Sequence, residues 1–358
     1  MDYNKYFDIP NDILYLNTPG NGLLPKTSKT WRLERDISFF DTASDLRDKQ
    51  LEFLVEVKQK IVDLFHAKFE QTFLTPNFSF GYNTLIDLLP KGYRYLVLEE
   101  EYPSLQYPIV NRKLNYIQIK PSTQLEEDLA GAIKFHKPDV LVLSIVQYIS
   151  GLKVDLNFIK KLKKENPSLL ILADGTQYLG TEPFNFTESG FDAVATSGYK
   201  WLLSGFGNGF ICLSDQLVEL IQEQTKDIPK PQAAMWANKS LLSTYFEPGH
   251  QDTLSHGTLG HSLTFLSDIG LNNIELHLQA LKKEAYQLLG ERGWLLPHTK
   301  RAVQSSVINI QIDPKLYPNL LNSGVKCFPR GTGIRIGLHL YNNLSDIHRL
   351  INILESIQ

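Results

Sequence analysis

Short apolar runs alternate with amphipathic segments along most of the chain. The runs Tyr95–Leu98, Tyr116–Ile119, Val140–Ser144, Leu169–Leu172 and Phe210–Leu213 are continuously apolar rather than alternating, which predicts strands buried on both faces. Between them, Leu51–Phe65 and Phe158–Lys164 carry apolar residues at helical spacing. This βαβ rhythm predicts an α/β fold, a mainly parallel sheet between helices. After about Gly249 the pattern changes. A helix through Ile274–Leu289, broken upstream near Gly270, precedes the strand candidates Ser306–Ile312 and Gly333–Leu338 and a closing helix, Asp346–Ile357. The expectation is a large domain over 16–248 and a small C-terminal α+β domain over 249–358, with segment 1–15 packing nearby. A length of 358 residues suits two such units.

Charge and composition narrow the partners. With 36 Lys+Arg against 39 Asp+Glu the chain is nearly neutral. Its densest basic cluster, Lys160-Lys-Leu-Lys-Lys164, ends a helical pattern before Asn166-Pro167 and reads as a solvated last turn favoured by the helix dipole. No nucleic-acid partner is expected. Two cysteines, Cys212 and Cys327, argue against a disulfide scaffold and suit a reducing cytosol. The first residues lack the basic and apolar regions of a signal peptide. No apolar run approaches the ~18 residues of a membrane span. The expected setting is cytoplasmic, with no membrane partner.

Candidate chemistry concentrates in one stretch. The run Ser168–Ala173 delivers Asp174 at a strand end, followed by Gly175-Thr-Gln177. A second strand-like run, Phe191–Thr196, leads into Ser197-Gly-Tyr-Lys200, 26 residues on from Asp174 (174 to 200). A lone lysine at a strand end more often snorkels to solvent, but the neighbours here change that reading. A carboxylate and an amine from neighbouring strand ends are what a pyridoxal phosphate (PLP) enzyme needs. The lysine, Lys200, forms a Schiff base with the cofactor, and the carboxylate, Asp174, keeps the pyridine nitrogen protonated. Ser197 and Tyr199 offer hydroxyls to a phosphate, and Gln177 stands where the phenolic oxygen could be met. Gly205, Gly207 and Gly209 let the backbone turn closely before the next strand.

The succession Asp174-Gly-Thr-Gln177 and Ser197-Gly-Tyr-Lys200 resembles the class V aminotransferase group of fold-type I PLP enzymes, which includes the cysteine desulfurases. Tyr15–Gly20 is similar to that family's opening strand and turn, and Arg335 with Tyr341-Asn342 to its closing motif. The resemblance implies PLP as cofactor, an amino acid as substrate and a homodimer. It also implies roles, position by position. Asn77–Asn83 would open a helix that aims the backbone N–H groups of Phe78 and Ser79, with the Ser79 hydroxyl, at the cofactor phosphate; read alone, the segment is a helix capped by Ser79. Tyr102, in Glu101-Tyr102, would stack on the pyridine, with Ala173 or its neighbours on the other face. Gln147, or Tyr148 beside it, falls near the position that contacts the phenolic oxygen. His250, in Phe246-Glu-Pro-Gly-His250, would reach the partner's phosphate. Arg335 would grip the substrate carboxylate with its two-pronged donor set.

Departures from the family limit what the resemblance says about the reaction. Desulfurases carry a nucleophilic cysteine on a mobile loop well before the carboxylate-binding arginine. Here Cys327 lies in a strand-like run only eight residues before Arg335 (327 to 335) and reads as core, as does Cys212. Cysteine desulfuration is therefore disfavoured. Aminotransferase chemistry is the leading expectation. A lyase or epimerase like kynureninase or isopenicillin N epimerase is the alternative, and a non-catalytic protein that uses the PLP fold for binding is a reading of a different class. No metal site is expected, because His250, His256 and His261 lack zinc spacing.

Overall fold

The protein, described here from a computed structural model, is defined over residues 3–41, 43–229, 231–233, 236 and 239–357. A short strand, β1 (Leu14–Tyr15), precedes a seven-stranded sheet. That sheet holds β2 (Thr72–Thr75), β3 (Arg94–Leu98), β4 (Asn115–Ile119), β5 (Val140–Ser144), β6 (Leu170–Asp174), β7 (Ala193–Ser197) and β8 (Gly209–Leu213). The order across it is β2-β8-β7-β6-β5-β3-β4. β8 runs antiparallel to both its neighbours, and the other adjacent pairs are parallel.

Every residue of β5, β6, β7 and β8 is buried, which is what their unbroken apolar runs require. β4, whose run is interrupted by Gln118, forms the sheet edge, with Asn115 and Tyr116 exposed and the rest half-buried. The strand β2 escapes the sequence pattern because Thr72-Phe-Leu-Thr75 is too short to show a period; its pairing with β8 makes it a strand.

Helices start where a polar side chain takes the first free N–H groups. Asn77 caps 78–88 through the N–H of Phe80 (2.9 Å), and Asp155 caps 156–165 through that of Asn157 (2.9 Å). At the end of 156–165 the basic cluster is not wholly solvated. Lys163 turns in to pair with the buried Asp192 carboxylate at 2.7 Å.

The C-terminal part contains β9 (Val307–Ile310), β10 (Val325–Lys326), β11 (Phe328–Arg330) and β12 (Gly333–Gly337). β11, β12 and β9 form a three-stranded antiparallel sheet in that order. β10 instead pairs in parallel with β1, and Arg349 donates to the Asp12 carbonyl (2.7 Å), so residues 11–15 are held against the C-terminal elements. Helix Thr253–Ile269 packs along helix Gln50–Phe65 over the large sheet, although it lies beyond residue 248. Its approach depends on missing side chains. A Cβ on Gly257 would come within 2.2 Å of the Trp31 ring, and one on Gly260 within 3.1 Å of Val57.

Candidate active site

β6 and β7 are adjacent and parallel, with Asp174 opposite Ala195, so both strands end on the same side. Asp174 is the last residue of β6, and Lys200 follows three residues after β7 ends at Ser197. The carboxylate and the amine therefore meet at the C-terminal edge of the sheet, where open α/β sheets take their ligands. A cavity of about 320 Å³ opens there, lined by both residues together with Ser79, Tyr102, Ser144 and Tyr148. Larger surface clefts exist, one of about 670 Å³ beside Lys60, Asp63 and Asn272 and one of about 570 Å³ that holds Lys153 and Glu182, but that largely buried pair already satisfies itself in an ion pair of 2.5 Å.

Electrostatics set this cavity apart. Burial pushes the Lys200 ammonium down to about 8; the Arg335 and Arg330 charges push the same way, and Asp174 opposes them. Burial also raises the Asp174 carboxyl, although its Oδ1 accepts the Thr176 N–H at 2.8 Å. Among the described residues, the recorded ion pairs include neither group. Two desolvated groups of opposite sign, each without an ion-pair partner, form an unstable arrangement that a ligand bearing both a carbonyl and a basic ring nitrogen would relieve. Lys200 Nζ lies 5.7 Å from the Tyr102 ring centre and 5.3 Å from that of Tyr199. Below Tyr102, Glu101 is fully buried and takes the Ser144 N–H (2.8 Å) and hydroxyl (2.5 Å); burial raises its carboxyl to about 7.

The opposite end of the cavity suits a phosphate. Ser79 lies in the first turn of helix 78–88, and because Asn77 is the cap, the Ser79 hydroxyl is not used for that purpose. The Phe78 N–H donates to Ser197 Oγ at 2.9 Å, so this donor, expected to face the phosphate, is already engaged. The Ser197 hydroxyl keeps its own proton to donate. Gly205 and Gly207 have φ of +68° and +86°, a conformation that favours glycine in the turn beneath the cavity. The opening segment closes the side: Gln177 Nε2 donates to the Pro19 carbonyl (3.0 Å), Gln177 Oε1 accepts from Trp201 Nε1 (2.7 Å), and the Gly22 N–H bonds the Tyr199 carbonyl (2.8 Å).

Phe78, Ser79, Tyr102, Asp174, Gln177, Ser197, Tyr199 and Lys200 all line this one cavity. Four expected residues lie elsewhere. Gln147 is turned away and spent on the backbone, accepting from Ile149 N (2.8 Å) and Ser150 N (2.7 Å) and donating to the Glu100 carbonyl (2.7 Å); Tyr148 lines the cavity instead. Ala173 packs in the core, because side chains alternate along β6 and Asp174 takes the cavity side. Thr176 stands in the cavity wall, and the quoted Asp-Gly-Thr-Gln motif already contained it. His250 is exposed, its Nδ1 2.8 Å from Gln50 Oε1, and outside this chain's cavity. Arg335 is buried on β12 behind Tyr148, donating from Nη1 to the Tyr148 carbonyl at 2.6 Å. Phe206, which stacks on Tyr199 at 4.8 Å, gave no sequence signal. Cys327 and Cys212 are buried, and burial drives each thiol up to about 12.

Among the described residues no helix is long and apolar enough to cross a membrane, and no three candidate metal ligands cluster. An uncharacterized aminotransferase of Schizosaccharomyces pombe, C777.03c, is 27% identical over 74% of this chain and 71% of its own. The uncharacterized aminotransferase YcbU of Bacillus subtilis is 24% identical over 61% of this chain; the match spans 60% of that relative's length. A probable cysteine desulfurase of Ureaplasma parvum is 22% identical over 100% of this chain and 97% of its own. The fold superposes on the apo cysteine desulfurase of Thermococcus onnurineus with a TM-score of 0.81 at 18% identity, covering 99% of this chain and 96% of that one. The aminotransferase class-V model matches residues 41–350. The chain belongs to the aminotransferase class-V family of PLP-dependent enzymes.

Proposed function

We propose that the protein is a PLP-dependent aminotransferase acting on an amino acid, with Lys200 as the residue that binds the cofactor covalently. One observation carries this reading: Asp174 and Lys200, both buried and both without an ion-pair partner among the described residues, share one cavity at the ends of adjacent parallel strands. When bound, PLP supplies the electron sink for charge developing at the substrate Cα. Asp174 holds a proton at the pyridine nitrogen. Tyr102 and Thr176 cover the two ring faces, and Gln177, which has a second amide hydrogen, serves the phenolic oxygen. Ser79, Ser197 and Tyr199 hold the phosphate. Lys200 Nζ, whose ammonium burial lowers to about 8, moves the Cα proton. Arg335 binds the substrate carboxylate through the guanidinium edge left free by Tyr148.

The same reading includes a homodimer in which His250 donates to the partner's phosphate. Its exposure supports this, as do the uncovered Leu33, Ile37 and Phe40 on helix 26–41 (Phe40 is 88% exposed). Cys212 and Cys327, both free and buried, suit a reducing, cytoplasmic setting. A buried Cys327 outside the cavity argues against a persulfide route. A binding protein without catalysis would gain nothing from a desolvated lysine.

The test is direct. Purified protein mixed with PLP should develop a visible absorption band, and borohydride should then fix the cofactor's mass on the peptide holding Lys200. Amino acids should bleach the band with formation of the pyridoxamine form and a keto acid. A band that survives unchanged in Lys200→Ala removes the reading. Release of pyruvate or alanine, or racemised substrate with the band restored, moves the reaction to a lyase or epimerase.

A further inference from the structure

The hairpin of β11 and β12 sets Phe328 opposite Arg335 and Arg330 opposite Gly333, and β9 sets Asn309 opposite Arg335. Side chains alternate along a strand, so Phe328, Arg330, Arg335 and Asn309 share one face of this sheet. Gly333 keeps this part of the hairpin close-packed: a Cβ there would lie 2.2 Å from the Ile310 carbonyl and 2.4 Å from Asn309 Oδ1. The same face meets the loop after β5. Arg335 bonds the Tyr148 carbonyl, and Asn309 Nδ2 bonds the carbonyls of Ile149 (3.0 Å) and Arg330 (2.9 Å). Tyr148 in turn lines the cavity with Lys200.

Both arginines are left wanting an anion. Among the described residues, Nε of Arg330 and Nε of Arg335 are each buried without a hydrogen-bond partner. Among the described residues, the arginine ion pairs are made by Arg112, Arg292 and Arg301, not by these two. Arg330 does rest on the Phe328 ring, 4.4 Å away, which positions its stem but leaves the donor edge unanswered. Arg335 is joined to the cavity wall through the Tyr148 carbonyl, and both charges act on Lys200 to depress its ammonium. One guanidinium suffices for one carboxylate. The second is surplus for an amino acid with a neutral side chain.

We propose that Arg330 binds the side-chain carboxylate of a dicarboxylic amino acid, of the aspartate or glutamate class, whose α-carboxylate is held by Arg335. This rests on the proposed reading of the cavity as a PLP site for amino acids.

PLP-loaded protein is titrated with L-glutamate and L-aspartate against L-glutamine and L-asparagine, following the cofactor's visible absorption. Each amide matches its acid in size, so the difference reports the charge. The acids should bind about tenfold or more tighter than their amides, the scale of a charge-assisted hydrogen bond. Arg330→Gln should erase that preference, leaving the amides within about twofold and the PLP band intact, and Arg330→Lys should restore part of it. Amides that bind as tightly as acids to the unmodified protein overturn the inference, whatever the variants do. So does an Arg330→Gln protein that weakens acids and amides alike, which makes Arg330 only a packing partner of Phe328. If neutral amino acids act and acidic ones do not, Arg330 loses its role while the PLP reading stands. If no amino acid alters a protein that binds PLP through Lys200, both fall.

Discussion

Arg335 Nη1 donates a 2.6 Å hydrogen bond to the carbonyl of Tyr148, and this bond ties the C-terminal antiparallel sheet to the rim of the cavity. Burial pushes the guanidinium down to about 10, with the neighbouring Arg330 adding to the shift, so the group is held desolvated and ready for an anion. Arg335→Gln should leave PLP binding intact but raise the Kd of every amino acid roughly 10–100-fold, the loss of a charged hydrogen-bond pair. Spectral titration of variant and parent checks this.

Among the described residues Lys200 makes no ion pair, and burial opposes its charge, so its removal should relieve the fold. Its pKa is lowered to about 8 in the folded protein, against about 10.4 in an unfolded chain. The unfolded chain then binds more protons between these values, so the cost of burying the ammonium is present in full below about pH 8 and vanishes above about 10.5. Lys200→Met should abolish the covalent PLP band yet stabilise the cofactor-free protein at pH 7 by about 2–3 kcal/mol. The gain should shrink as the pH rises through that window. Denaturant melts at pH 7 and pH 10 measure both effects.

The same shift governs how the protein takes up PLP. Only the neutral amine attacks the cofactor's carbonyl. The rate of covalent capture should rise about tenfold per pH unit below 8 and level off above it. Arg330→Gln removes a positive neighbour that helps to lower this group, so it should move the midpoint to higher pH. Stopped-flow absorbance gives the profile.

Asp174 has no cation within ion-pair distance among the described residues, and burial raises its carboxyl. Asp174→Asn should still bind PLP through Lys200, because the amine is untouched. Turnover should fall at least ~100-fold, the upper scale of a charged hydrogen bond lost at the reacting system. Single-turnover rates on the PLP-loaded variant test this, and a variant as fast as the parent would remove Asp174 from the mechanism.

Tyr341 works at a distance from the chemistry. Its hydroxyl bonds Thr18 Oγ1 in a wholly buried contact, and Asn342 Nδ2 bonds the Tyr15 carbonyl at 3.0 Å. This closing pair clamps the opening segment that carries Pro19 and Gly22 to the cavity wall. Tyr341→Phe leaves the Thr18 hydroxyl buried and unpaired, which should destabilise the fold by about 1–3 kcal/mol with an unchanged PLP spectrum. Thermal melts beside absorption spectra distinguish this from a direct role in the site.

Much of the lining of the candidate cavity was readable because those residues are local in the chain. Asp174 follows directly on an apolar run and Lys200 comes within four residues of another, Phe191–Thr196, and a strand buried on both faces ends close to where such a run ends. Their motif neighbours Gln177, Ser197 and Tyr199 came with them. Gln147 and Ala173 were misplaced for a different reason. Which of two consecutive residues faces a cavity is set by strand register and loop hydrogen bonding, and one position changes the face. Gln147 was claimed by the Glu100 carbonyl and the 149–150 amides, which no spacing in the chain foretells.

By itself the sequence determined the alternation of strands and helices, the strand ends that bear the carboxylate and the amine, and the absence of a cysteine loop before Arg335. These depend on runs of neighbouring residues, whose burial and backbone needs are local. Only the tertiary structure decided that β2 joins the sheet, that Tyr148 and Thr176 wall the cavity, that Asn77 rather than Ser79 caps the helix, and that Arg330 stands beside Arg335. Each of these is a meeting of segments distant in the chain, or a choice among adjacent polar groups. Such choices are made by packing and hydrogen-bond satisfaction across the whole fold.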